Sequence, residues 1–294
     1  MNKRTSKVVG NIFFYLLIGL IALYLIFPFY WALVSSLKTE SELVRTPATW
    51  FPENPTLKNY QAVLNNPLFI RSIGNSIIVA GLTTLVSLLV GSFAGYALGK
   101  LRFRGRTPTL YVILAMTMFP QVAILSGLYE IIRNIKDIPN SVNWLGWFQV
   151  PTQLLLVAAY LIFSLPFTAW VLTSFFRGLP ASLLEAARVD GASFSQTFWR
   201  ILLPLTAPAL ATTGILAFIG AWNEYLFALT FTISDPNAKT VPIAITSLGG
   251  IFAMQEPVGE WMAAALIITV PLIILVIIFQ NRIVEGLTAG AVKG

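Results

Sequence analysis

The sequence predicts an all-α fold, a polytopic bundle of six transmembrane helices with a polar helix pair set into one of its connections. Three observations carry that prediction. Of 294 residues, 56% are hydrophobic and only 11% are charged, against about 25% charged in soluble domains. Six apolar runs reach the ~20 residues that a helix needs to cross the hydrocarbon of a bilayer. The basic residues collect in alternate connecting segments, as they do in membrane proteins of fixed orientation.

The runs follow in order. The first covers residues 8–37 and contains no charge. Its apolar part is too long for a signal peptide, and no small-residue cleavage site follows it before Lys38, so it is expected to be a retained helix. The second covers 72–99, the third 107–129 and the fourth 150–176. The fifth covers 201–231, interrupted by Glu224, and the sixth covers 261–281. Each must be helical, because lipid offers no partner for backbone N–H and C=O groups. Pro28, Pro120, Pro166, Pro208 and Pro271 fall inside these runs. Each removes a backbone donor and is expected to kink its helix. Residues 38–71 carry four prolines and residues 234–260 carry turn residues, so regular structure there should be short. Neither segment is large enough to stand as a separate domain. The whole chain, 1–294, is expected to be one transmembrane domain.

Charge sets the orientation. With the N-terminus inside, the inner segments hold 12 of the 19 Lys and Arg residues, including Lys100, Arg102, Arg104, Arg106, Arg177, Arg188 and Arg200. The longer outer segments hold 7. Both termini are therefore expected in the cytoplasm. Tyr30, Trp31, Trp144, Trp147 and Trp261 fall at helix ends, where amphipathic rings favour the interface. The basic run at 101–106 anchors a helix end, which accounts for the charge without nucleic acid. The chain has no cysteine and no histidine. That removes thiolate chemistry, the commonest general base and the commonest metal ligand. The scattered carboxylates give no catalytic and no metal-binding constellation, so neither an enzyme nor a bound cofactor is expected.

The inserted polar segment, 177–203, faces the cytoplasm in this topology. It reads as two short helices. Ser182 with Glu185, and Ser193 with Gln196, each have the spacing of a capping box. Gly191 suits the left-handed residue that ends a helix, and Pro204 stands where the next membrane helix begins. Helices this short are marginal alone in water. Leu183, Leu184, Ala187, Phe194 and Phe198 give them apolar faces. Two roles fit: docking in a groove of a soluble partner, or resting on the inner leaflet.

The stretch EAARVDGASFSQTFWRILLP, residues 185–204, resembles the EAA motif of binding-protein-dependent ABC importer permeases. Glu185, Ala186, Ala187, Gly191, Ile201, Leu203 and Pro204 match its pattern, and Asp190 and Ala192 match the fuller form common in carbohydrate permeases. AWNEYLFAL (221–229) and EGLTAGAVKG (285–294) resemble the shorter permease subunit of maltose-type transporters. The resemblance runs from the first helix to the tail. It implies docking. Glu185 would be the charged contact with an ATPase, Ala186 and Ala187 would permit close packing, and Gly191 would form the turn. The tail from Gly286 would reach between the ATPases. The implied assembly has a second homologous permease, two ATP-binding cassette subunits, an extracytoplasmic solute-binding protein and surrounding lipid, in the cell inner membrane. The implied cargo is maltose, trehalose or a related glycoside.

ATP and Mg would be used by the partner ATPase. This chain has no phosphate loop of its own, since Ala94 and Leu101 stand where such a loop around Gly99-Lys100 needs Gly and Ser or Thr. The candidate solute path is Glu224, the acidic residue inside the fifth run, with Asn223 and Tyr225 beside it and Gln121 near Pro120. An acidic group in hydrocarbon is costly and should face a cavity or a partner. The bland alternative is an early helix exit that leaves Glu224 near the outer interface. An ion-coupled secondary transporter is the rival class, expected to show paired repeats and more intramembrane ionisable groups.

Overall fold

The computed structural model describes residues 3–141, 150–248 and 257–291. Every regular element among them is helical. In chain order these are α1 (Lys3–Ser36), α2 (Glu40–Leu43), α3 (Lys58–Leu64), α4 (Pro67–Lys100), α5 (Arg106–Thr117), α6 (Gln121–Ser141) and α7 (Thr152–Gly178). Then come α8 (Ser182–Val189), α9 (Phe194–Gln196), a π-helical turn (Thr197–Leu202), α10 (Leu203–Leu205), α11 (Ala207–Trp222) and α12 (Leu226–Thr232). A 3₁₀ turn (Pro236–Ala238), α13 (Val241–Thr246) and α14 (Val258–Ala291) complete the order. Trp144, Trp147 and residues 292–294 lie outside the described residues.

Four helices among the described residues are long and apolar enough to cross a membrane: Gly10–Ser36, Pro67–Lys100, Thr152–Gly178 and Val258–Asn281. Two bent pairs bring the number to six if each is one span. Arg106–Thr117 and Gln121–Asn134 meet at 94°, and Phe194–Leu205 and Ala207–Trp222 meet at 75°. The third run is thus sharply broken where a single kinked helix was expected. The break falls at Met118-Phe119-Pro120, because Pro120 has no N–H to continue the ladder of α5. The fifth run is divided as well, at Thr206 and again at residues 223–225. Thr206 Oγ donates to the carbonyls of Leu202 (3.1 Å) and Leu203 (3.0 Å), and Pro208 sits in the first turn of α11, where a missing donor costs nothing. Pro28, Pro166 and Pro271 lie within uninterrupted helices.

The chain divides into two compact units. One comprises Met1–Phe69 and Ile245–Val270. Its polar centre follows the end of α1. Asn59 donates to the carbonyls of Ser36 (2.9 Å) and Lys38 (3.0 Å), and the Lys38 ammonium donates to the Thr49 carbonyl. Glu42 accepts from Thr49 Oγ (2.7 Å) and from the Glu53 amide (3.0 Å). Chiefly the Thr49 hydrogen bond, helped by the Glu53 amide and the Lys38 charge, holds the Glu42 carboxyl below its ordinary value. Tyr30 donates to the Trp50 carbonyl at 2.6 Å, Trp31 meets the Trp50 ring edge-on, and Lys38 lies 5.1 Å over Trp31. Tyr30, Trp31, Trp50 and Lys38 thus form one cluster.

The other unit comprises Ile70–Ala244 and Pro271–Gly294. It is organised around α7, which packs against α5, α11 and α12. It also meets α4 closely, through Gly91, Gly95 and Gly99, spaced four apart. A Cβ on these would lie 2.6, 3.0 and 2.9 Å from Thr168, Leu172 and Phe176. Where lipid is as apolar as protein, such small residues let backbones approach and gain dispersion contacts. Tyr160, Leu156, Phe227 and Phe231 centre one apolar core, and Tyr96, Phe176, Phe198 and Leu202 centre a second.

Candidate functional site

The EAA segment packs against the second core. Its first helix begins differently from the sequence expectation. Ser182 does not cap α8; it is the first helical residue, and its side chain makes no capping bond. The turn has already closed at Pro180 and Ala181, whose carbonyls accept from Leu183 (3.4 Å) and Leu184 (3.0 Å). Proline's fixed φ prepares that start. The end of α8 is as expected. Gly191 has φ +71°, the Ala192 amide bonds the Ala187 carbonyl (2.9 Å), and the Gly191 amide bonds the Arg188 carbonyl (3.1 Å). This is the paired-bond ending that fixes a helix terminus with glycine just beyond it. It explains why a glycine stands four residues after the second alanine of EAA. Ser193 then caps the next helix reciprocally: its Oγ accepts from the Gln196 amide (3.3 Å) while its own amide donates to Gln196 Oε1 (2.8 Å).

The faces of α8 are separated by helical period. Glu185, Ala186, Arg188 and Asp190 are exposed, and Val189 is 89% exposed. Ala187 is buried within its own chain, so of the two alanines Ala186 alone faces outward. Phe198 is buried too, stacked on Phe93 at 4.7 Å with Tyr96 at 5.6 Å. It forms part of the anchor, while Trp199 stays 47% exposed. Ala192, Ile201 and Leu203 are half-buried and Pro204 is exposed. Two basic residues brace this end. Lys100 donates to the Leu179 carbonyl, and Arg106 donates through Nε to the Leu98 carbonyl (2.7 Å). Both satisfy carbonyls at helix ends, where positive charge is also favoured. Val189, Trp199 and Lys100 were missed as site residues in the sequence. The outward phase of α8 was the signal for Val189.

The second candidate site is a cavity of about 270 Å³ whose wall includes Gln121 on α6, Tyr160 and Ser164 on α7, Gly220 on α11, and Thr83 and Glu224. Glu224 sits in the break after α11. Its two carboxylate oxygens accept from the amides of Phe227 (2.9 Å) and Ala228 (3.0 Å), capping α12. An early helix end and a cavity position therefore coincide at this residue. Asn223 and Tyr225 do not line the cavity. Both are exposed, and Asn223 donates to the Ile219 carbonyl (2.9 Å). Met116 lines a separate apolar cavity, and Met118 is exposed. Tyr160 and Ser164, one helical turn apart on α7, looked in the sequence like ordinary membrane-helix composition. No group of three potential metal ligands occurs among the described residues.

Comparison with known proteins gives consistent findings. A family model described as "Binding-protein-dependent transport system inner membrane component" matches residues 87–288. The chain is 41% identical to the trehalose/maltose transport system permease protein MalG of Thermococcus litoralis, over 99% of this chain and 98% of that protein. It is 42% identical to the sulfoquinovosyl glycerol transport system permease protein SmoH of Agrobacterium fabrum, over 92% of this chain and 89% of that one. In fold it resembles a chain of a bacterial ABC transporter involved in import of the acidic polysaccharide alginate. The TM-score is 0.74 at 23% identity, covering 96% of this chain and 98% of the other.

Proposed function

Because this chain belongs to the binding-protein-dependent transport system inner membrane component family, we propose that it passes a glycoside, of the trehalose or maltose class, through the membrane of an ATP-driven importer. It is a permease subunit and not itself the catalyst. In this reading both termini lie in the cytoplasm, and a second homologous permease completes the pathway. Two ATP-binding cassette subunits hydrolyse ATP with Mg, and an extracytoplasmic protein delivers the sugar.

The observation that carries the coupling role is the backbone-closed turn at Gly191. It holds α8 with Glu185, Ala186 and Val189 exposed while Ala187 packs inward. A rigid small element with an outward mixed polar and apolar face fits a groove of a soluble partner. Glu185 and Ala186 make the contact. Asp190, Gly191 and Ala192 fix its angle, and Ile201, Leu203 and Pro204 join it to the membrane helix. Nucleotide-dependent closure of the ATPases then favours one of two permease arrangements, as differential affinity requires. Gln121 and Glu224 border the solute path. Asn223 and Tyr225, exposed beside the break, serve its outer approach. The tail, helical to Ala291, extends toward the ATPases.

The test is transport by the complex purified with its co-expressed partners and reconstituted in vesicles. Uptake of labelled trehalose or maltose should require ATP on the cytoplasmic face and the binding protein outside. Uptake driven by an ion gradient without ATP would assign the chain to secondary transport instead.

A further inference from the structure

We infer that a groove between α4 and the π-helical turn binds an anionic phospholipid of the cytoplasmic leaflet, with an acyl chain along the groove and the phosphate on Arg200. The inference rests on the cytoplasmic placement of the EAA segment and adds a ligand to it. The groove, about 160 Å³, is lined by Leu85, Leu88 and Leu89 of α4, by Phe198 and Trp199 of the turn, and by Leu203. Ser92 lines it too, but its hydroxyl donates to the Leu88 carbonyl. Leu85, Leu89 and Trp199 are exposed, so the groove opens outward. Its depth follows from α4. At about 1.5 Å per residue this helix rises about 33 Å from Arg71 to Phe93, close to the ~30 Å of the hydrocarbon core. Phe93 stacks on Phe198 at 4.7 Å and meets Trp199 edge-on at 5.8 Å. That end of the groove therefore lies at the membrane–water boundary, where a tryptophan is favoured. Leu85 lies about 12 Å deeper along the same helix. A lipid tail enters at that boundary and runs in that direction.

Tails fill any lipid-facing groove by dispersion and do not select one lipid. Arg200 selects. It follows Trp199, the two Cα atoms about 3.8 Å apart, so its headgroup contact and the groove belong to one place. Arg200 is exposed and, among the described residues, makes no hydrogen bond or ion pair. Lys100 and Arg106 at this end are instead spent on the carbonyls of Leu179 and Leu98. A guanidinium presents paired donors that match the oxygens of a phosphate. A zwitterionic headgroup brings its own cation beside that phosphate, and an anionic one does not, so the occupant is of the phosphatidylglycerol type. The bound lipid lies against Phe198, whose stacking on Phe93 fastens the EAA segment to α4.

The test uses the complex purified with its co-expressed partners, in nanodiscs of phosphatidylcholine. Phosphatidylglycerol with brominated acyl chains, or phosphatidylcholine with the same chains, is titrated in as a minor component. The tryptophan fluorescence quenched in wild type but not in Trp199→Phe reports the groove. Brominated phosphatidylglycerol should quench it at about 5-fold lower mole fraction than brominated phosphatidylcholine, the effect of one basic residue at an anionic surface. Arg200→Gln should abolish that preference, and Arg200→Lys should keep part of it. Arg102→Gln, which removes a basic residue of the 101–106 run, should leave it unchanged, which separates a site from general attraction to the surface. Equal quenching by the two lipids in wild type, or a preference that survives Arg200→Gln, would overturn the site. Quenching by neither lipid would put protein over Trp199 and would overturn it too. None of these results touches the importer reading, which fails separately if uptake by the same complex does not require ATP.

Discussion

The chain interrupts its helices at Gly191 and at Glu224 by opposite means. At Gly191 the backbone closes its own hydrogen bonds, with φ +71° and two amides returning to the carbonyls of Ala187 and Arg188. No side chain is consumed, and Glu185, Ala186 and Val189 of α8 are left facing outward. At Glu224 a side chain does the closing, with both carboxylate oxygens on the amides of α12. That break lies in a cavity wall, and the residue that ends one helix and starts the next also faces the cavity. The first design leaves side chains exposed on the surface. The second binds one functional group to the fold, so that changes there must affect stability and transport together.

The largest effect separating the two breaks should come from Glu224→Ala. It removes the acceptor of two amides at once and should destabilise the complex by about 2 kcal/mol or more, read as thermal unfolding in nanodiscs. Glu224→Gln keeps one acceptor and should lose about half as much. Gly191→Ala should cost about 1–2 kcal/mol locally, because an L-residue is strained at positive φ. No atom lies within 4 Å of the added Cβ, so the cost is conformational, and Gly191→Asn should recover part of it. ATP-driven uptake should fall in Gly191→Ala by more than its unfolding temperature predicts. If Glu224→Ala loses uptake with no loss of stability, the contrast between the two breaks is broken. Ser193→Ala removes the reciprocal cap and should cost about 1 kcal/mol, checked by hydrogen exchange at the Gln196 amide.

Glu42 gives the comparison a control, a carboxylate of the other compact unit that accepts from Thr49 and the Glu53 amide. Its folded value is depressed, chiefly by the Thr49 hydrogen bond. Its contribution is therefore complete above the ordinary carboxylate value of 4.5 and is lost as pH falls through the lower folded value. Unfolding temperatures measured from about pH 6 to about pH 3 should decline less steeply in Glu42→Gln than in wild type. This is the smallest of the expected effects.

The membrane helices were legible because lipid imposes one simple demand, an apolar run of sufficient length, on every span. The turn at Gly191 and the cap at Ser193 were legible because their chemistry is local. Ser182 misled because proline and alanine before it had already started the helix. The faces of the EAA segment were only half legible. Phe198 and Ala187 look available in sequence, but Phe198 packs on Phe93, Tyr96 and Phe176 and Ala187 is buried.

Attachment of the EAA segment to a separate ATPase is tested most directly by a single cysteine, which this cysteine-free chain permits without background. With Ala186→Cys in the purified complex, a short bifunctional thiol–amine reagent should join the permease to the ATPase subunit, and nucleotide should change the yield. Labelling of that cysteine in intact cells by a membrane-impermeant thiol reagent added outside, with no adduct to any ATPase, would contradict the account.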